Sequence, residues 1–194
     1  MPIRNDREYR KAGPFKAEED SYIVEGYAST FAPYTLWFEG DTEIREQIDP
    51  HAFDEADMSD VIMQYDHQGR VFARVSNNTL DISTDDHGLK IRADLSKTES
   101  ARQLYEEIKS GMITQMSFAF SIQEDAYDKK EHLRTVTKIR KLYDVSAVSI
   151  PANPGTEISA RSFAEGVIEQ ERLERAEAEE RERKIQILKL RLSL

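Results

Sequence analysis

Three short apolar stretches of this chain carry, between them, a hydroxyl, an imidazole and a carboxylate. Ser117 lies in GMITQMSFAFSI (111–122), His67 closes QYDH (64–67), and Asp144 sits in LYDVS (142–146). An alcohol is a weak nucleophile; it becomes useful when a neighbouring base takes its proton and a third group orients that base. Ser117, His67 and Asp144 are of the types that could share acyl transfer in this way. Asp144 is the oddest of them, because a carboxylate among Leu142, Tyr143 and Val145 is costly to bury unless something satisfies it. An orienting role would supply that partner. So would a plain hydrogen bond to Ser146, which shares its strand face, or a pairing with an arginine.

Taken singly, Ser117 reads as an ordinary strand serine and His67 as a hydrogen-bonded residue at a strand end. Ser146 and Ser149 compete for the nucleophile, and Asp66 and Asp81 for the carboxylate. Metal-assisted hydrolysis would draw instead on Asp49 and His51 with Asp66 and His67. That spacing matches no coordination template, and His51, His67, His87 and His132 include no HExxH pair. No metal and no cofactor is expected. The absence of cysteine removes disulfides, thiolate ligands and cysteine nucleophiles.

The elements that must hold these groups are mostly strands. Residues 21–31 are β-branched and aromatic, 44–48 form a short run closed by Asp49-Pro50, and 61–67 alternate. Residues 71–75, 79–84 and 89–95 continue the series, with Asp85-Asp-His-Gly88 as a hairpin turn. In 113–122 the bulky Met116, Phe118, Phe120 and Ile122 alternate with Ser117, Ala119 and Ser121, which puts the serine on the small-residue face. Residues 135–139 and 142–150 complete the strands before PANPG (151–155) turns the chain. A short helix is expected over 51–58 after Pro50. A second should follow the capping box Ser96-Lys-Thr-Glu99, with Ala101, Leu104, Tyr105 and Ile108 at helical spacing and Gly111 as its stop. Many short strands with few helices predict a closed or half-closed antiparallel barrel.

The 194 residues divide into a loose polar segment (1–20), a body (21–161) and a helical tail (162–194). Residues 161–194 hold eight acids and eight bases and residues 1–20 five of each, so residues 21–160 of the body carry the whole net charge of −10. An acidic body argues against nucleic-acid binding. No apolar run reaches the roughly 18 residues of a membrane span, and the first residues lack a signal-peptide core, so a cytosolic protein is expected. The tail reads as a solvent-exposed helix laced with i,i+4 ion pairs; from Ile185 its narrow apolar face calls for a partner surface.

In order along the chain stand GYASTF (26–31), IDPHAF (48–53), QYDH (64–67), TLDI (79–82), DHGL (86–89), LYEEIKSG (104–111), MSFAF (116–120) and LYDVSAVSIPANPG (142–155). With this series the chain resembles the prohead proteases of tailed bacteriophages, distant relatives of the herpesvirus assemblins, over roughly residues 21–161. The resemblance implies an α+β, mainly β fold: an assemblin-like barrel flanked by a few helices, with the charged C-terminal helix appended. It also implies a serine endopeptidase with His67 as general base, Ser117 as nucleophile and Asp144 as third member. Four positions depart from the family pattern. His51, Gln115 and Ala119 stand where glycine is common, and Asp144 stands where glutamate is usual; assemblins use a second histidine in that role. The implied substrates are the major capsid protein, through its scaffolding region, and the protease itself, which allows a homo-oligomer. The implied place is the assembling prohead in the cytoplasm of the infected host. The tail would be a scaffold-binding or removable segment. The competing class is a scaffolding or assembly factor that keeps the protease fold without activity.

Overall fold

A computed structural model describes residues 7–18, 21–149 and 158–192. The PANPG turn lies outside these. Ten strands follow one another: β1 (Glu8–Ala17), β2 (Ile23–Thr30), β3 (Tyr34–Glu39), β4 (Thr42–Ile48), β5 (Ile62–Tyr65), β6 (Gln68–Arg74), β7 (Leu80–Thr84), β8 (Gly88–Asp94), β9 (Gln115–Asp128) and β10 (Leu133–Val148). Two helices join them, α1 (Glu99–Lys109) and α2 (Ile158–Leu192). The strands run in the order β3-β4-β10-β9-β1-β2-β8-β7, and β5 pairs with both β10 and β6.

The expected mainly β, α+β class is present, but no closed barrel forms among the described residues: the path ends at β3 and β7. Nor is the sheet wholly antiparallel, since β4 and β5 both lie parallel to β10. The two expected strands 135–139 and 142–150 are one strand, β10, whose bulges against β9 absorb the irregular stretch around Arg140. The segment read as loose supplies β1, paired to β9 and β2. Polar composition hid it, because its apolar alternation is weak while its partners are long strands.

The helix expected over 51–58 does not form; Ala52 and Phe53 are buried in a run of turns. The backbone there is committed elsewhere. Ile139 N–H donates to Ala52 O, Asp57 N–H to Arg140 O and Leu142 N–H to Asp57 O, so the segment fills the edge of β10 between β4 and β5. Those groups cannot also close i→i−4 bonds. Helix α1 forms as its pattern predicts, with Ala101, Leu104, Tyr105 and Ile108 buried, but its N-cap is Thr98, whose hydroxyl accepts from Ala101 N–H.

In the β7–β8 turn, Asp85 Oδ1 accepts from the His87 and Gly88 amides. Gly88 is required by close approach, since a Cβ there would lie 2.0 Å from Ser29 O. The main core gathers Val24, Ile48, Met63, Leu89, Ile91, Leu104, Met116, Phe118, Phe120 and Val145. At roughly 1.5–3 kcal/mol for each large apolar side chain removed from water, it dominates folding. A second, smaller cluster of Leu36, Ile44 and Ala164, with Trp37, Tyr127, Phe163 and Ile168 against it, holds the start of α2 on β3.

Candidate active site

β9 is the central positioning element. Register pairs Ser117 with Ser146 of β10 and with Lys11 of β1, and pairs Ala119 with Asp144 and with Tyr9. Directly paired residues share a sheet face. Tyr9, Ser117, Ala119, Asp144 and Ser146 therefore line the small-residue side of β9, opposite Met116, Phe118 and Phe120.

His67 reaches this face from a tight turn. Tyr65 and Gln68 pair across the β5–β6 hairpin, leaving Asp66 and His67 as its two central residues, with φ of 47° and 58°. Positive φ at both positions is the signature of a type I′ turn, in which non-glycine residues are uncommon. Asp66 anchors the turn to the end of β10. Its amide donates to Ala147 O at 2.9 Å, and its carboxylate accepts from Ser149 N–H and Oγ–H. Strain of this kind persists where surrounding structure enforces it, and it collects at functional sites.

So held, His67 places Nδ1 2.6 Å from Asp144 Oδ1. Ser146 Oγ–H donates to the same oxygen at 2.7 Å, so the anticipated Asp144–Ser146 bond coexists with the histidine contact. Asp144 is 2% exposed; its partners meet the cost of burying it. The edge of the Tyr9 ring meets the His67 ring, with centroids 4.7 Å apart. His67 Nε2 is buried and has no hydrogen-bond partner among the described residues. Ser117 is wholly buried, and its hydroxyl donates to Arg10 O at 2.9 Å rather than to His67.

The structure thus joins His67 to Asp144 and sets Ser117 on the same face two positions away. It separates the alternatives: Ser149 is tied to Asp66, His51 Nδ1 lies against Asp54, and Asp81 sits in β7, paired with Arg92 of β8. Asp49, His51, Asp66 and His67 do not gather into a ligand group; among the described residues no such cluster occurs.

On the other face of β1 lies a charge cluster that sequence reading missed. Arg10, fully buried, donates Nε–H to Glu46 Oε1 at 2.5 Å and Nη2–H to Glu46 Oε2 at 3.0 Å, and it also contacts Glu8. Tyr34 O–H donates to Glu46 Oε1, while Arg134 bridges Glu46 Oε2, Glu8 and Asp125. Burial pushes the Glu46 pKa up, but the Arg10 and Arg134 cations outweigh it and hold the carboxyl below its ordinary value. These residues are far apart in sequence and their charges follow no local pattern. The one available signal was Glu46 between Ile44 and Ile48 on the inward side of a short strand.

A hydrogen-bonded histidine–carboxylate pair beside a strand serine is equipped for acyl transfer. No curated protein and no solved structure matches the chain. The sequence profile of the caudovirus prohead serine proteases matches residues 10–189 of the 194. With a match running from β1 almost to the end of α2, the chain belongs to the caudovirus prohead serine protease family and is a serine protease of phage capsid maturation.

Proposed function

We propose that the chain is an endopeptidase that cuts the scaffolding region of the major capsid protein, and itself, with Ser117 as nucleophile, His67 as general base and Asp144 as the group that orients the base. One observation carries this reading. His67 is bonded to Asp144 through Nδ1 on the sheet face that carries Ser117, and its Nε2 is buried with no hydrogen-bond partner among the described residues. A carboxylate on Nδ1 fixes that nitrogen as the N–H, which leaves the lone pair on Nε2 to take a proton.

The substrate carbonyl is attacked by Ser117 Oγ as its proton passes to His67 Nε2. The same proton then goes to the leaving amine, and water resolves the ester by the reverse sequence. Asp144 accepts from His67 Nδ1–H and from Ser146 Oγ–H, which holds the imidazole in place. For attack, the Ser117 hydroxyl must exchange the Arg10 carbonyl for His67 Nε2. A nucleophile on a central strand gains precision from its rigid support.

Coexpression with the cognate capsid protein tests the assignment. Wild type should trim the capsid protein, and Ser117→Ala should lower the rate by at least about 10³-fold. Unchanged trimming by Ser117→Ala would remove Ser117 from the mechanism. Loss of trimming with a chelator would favour metal-assisted hydrolysis, and a wild type that trims nothing would favour the inactive assembly factor.

A further inference from the structure

We propose that Tyr9, Arg10 and Lys11 lie across the active site as a peptide substrate lies, and that Glu46 selects a basic residue on the N-terminal side of the bond to be cut. This rests on the Ser117–His67–Asp144 reading and extends it to the substrate.

Three contacts of one short segment carry the inference. Ser117 Oγ–H donates to the Arg10 carbonyl at 2.9 Å, which puts the Arg10–Lys11 peptide bond against the nucleophile. The preceding side chain, Tyr9, packs on the His67 ring. The Arg10 side chain leaves the opposite face, as alternation along a strand requires, and is fully buried with its guanidinium on Glu46. Backbone, base and side-chain pocket are thus engaged together by consecutive residues.

Residues 8–11 are paired on one side only. From Glu8 to Lys11 the register partners are Phe120 to Ser117 of β9, whereas pairing with β2 begins only at Phe15, beyond a register shift between Lys11 and Pro14. Residues 8–11 can therefore leave β9 while 15–17 stay in the sheet. Their departure frees the β9 edge for an extended peptide, which would add as a strand. It also takes the Arg10 guanidinium off Glu46, which keeps only Arg134 and the Tyr34 hydroxyl of the partners described above. A buried carboxylate that loses the cation bonded to both of its oxygens is destabilised, so the pocket favours an arginine or lysine from the incoming chain. At such a bond Ser117 Oγ joins the carbonyl carbon, the C–N bond breaks with the proton from His67 going to the amine, and water then frees a carboxylate at the basic residue.

The test uses full-length enzyme, the cognate capsid protein as positive control, and the peptide REYRKAG, which repeats residues 7–13. Fragment masses should place the cut between Arg and Lys. Analogues carrying Arg10→Glu or Arg10→Leu should be cut about tenfold to a hundredfold more slowly, the range that losing a charge-assisted hydrogen bond spans. Glu46→Gln enzyme, checked by thermal melting, should lose most of that discrimination; if it does not fold, the wild-type comparison alone decides. Equal cutting of the analogues, or a peptide neither cut nor inhibitory while capsid protein is trimmed, would overturn the inference and leave the triad standing. Trimming of capsid protein by Ser117→Ala would overturn the triad itself.

Discussion

His67 and Asp144 meet through one short hydrogen bond, and the second donor to Asp144 Oδ1 is Ser146. Asp144 and Ser146 have unequal tasks in the proposed triad. There Asp144 sets which imidazole nitrogen carries the proton, so Asp144→Asn should keep the fold and lower kcat by about 10⁴-fold, as loss of the correct tautomer does. Ser146 only holds the carboxylate, and Ser146→Ala should cost far less, on the order of tenfold. Capsid trimming rates of the two variants, with circular dichroism to check folding, measure the difference. A Ser146 variant as inactive as Ser117→Ala would mean that Ser146 takes part in the chemistry itself. Asp144 and Ser146 were legible from their i,i+2 spacing on an apolar strand. Asp66 was not, because its work is done by backbone geometry and by a bond to Ser149, across a sequence separation of 83.

Among the elements, α2 divides into two parts with different duties. Its start is held by Phe163, Ala164 and Ile168 on the Leu36–Ile44 cluster and by Lys129 against Glu174, while the residues from Glu174 to Lys189 are exposed. Among the latter, Ile185, Ile187 and Leu188 leave apolar surface open. A chain ending at residue 175 should therefore melt close to wild type, whereas deletion of 162–194 should lower the melting temperature by several degrees, because it uncovers the small core. The same pair of truncations tests the tail as the segment that binds scaffold. Loss of prohead incorporation with intact peptide cutting in the shorter deletion supports that role; unchanged incorporation rejects it. The charged periodicity of the tail was enough to read a helix. Where it docks depended on β3, a strand whose Trp37 and Phe38 carried too little alternation to be recognised.

For the molecule as a whole, the buried cluster around Glu46 ties β1, β3, β4, β9 and β10 together and makes stability depend on pH. Glu46 has its folded pKa depressed below the ordinary 4.5 despite burial. A depressed carboxylate stabilises the fold fully above its unfolded value, and that contribution is lost as pH falls through the lower folded value. Melting temperature should hold from neutral pH down to about 5 and then decline steeply. Glu46→Gln should start lower and decline less over the same acid range; parallel curves would show that Glu46 does not set the acid limb.

From its own patterning the sequence determined β2, β4, β5, β7 and β8, the helix under Ala101–Ile108, the Asp85–Gly88 turn and the helical tail, and it offered Ser117, His67 and Asp144 as residues of the types that act on a carbonyl. Alternation by two and recurrence by three and four are local properties, and they say which side chains face inward. Tertiary structure alone decided that a polar N-terminal segment becomes β1, that 51–57 serves as an edge for β10 rather than a helix, and that β4 and β5 lie parallel to β10. It alone set the Arg10 carbonyl on the Ser117 hydroxyl, 107 residues apart, and the Arg10 side chain on Glu46. Such contacts depend on strand order and register, which are fixed by the sum of many pairings rather than by any one segment.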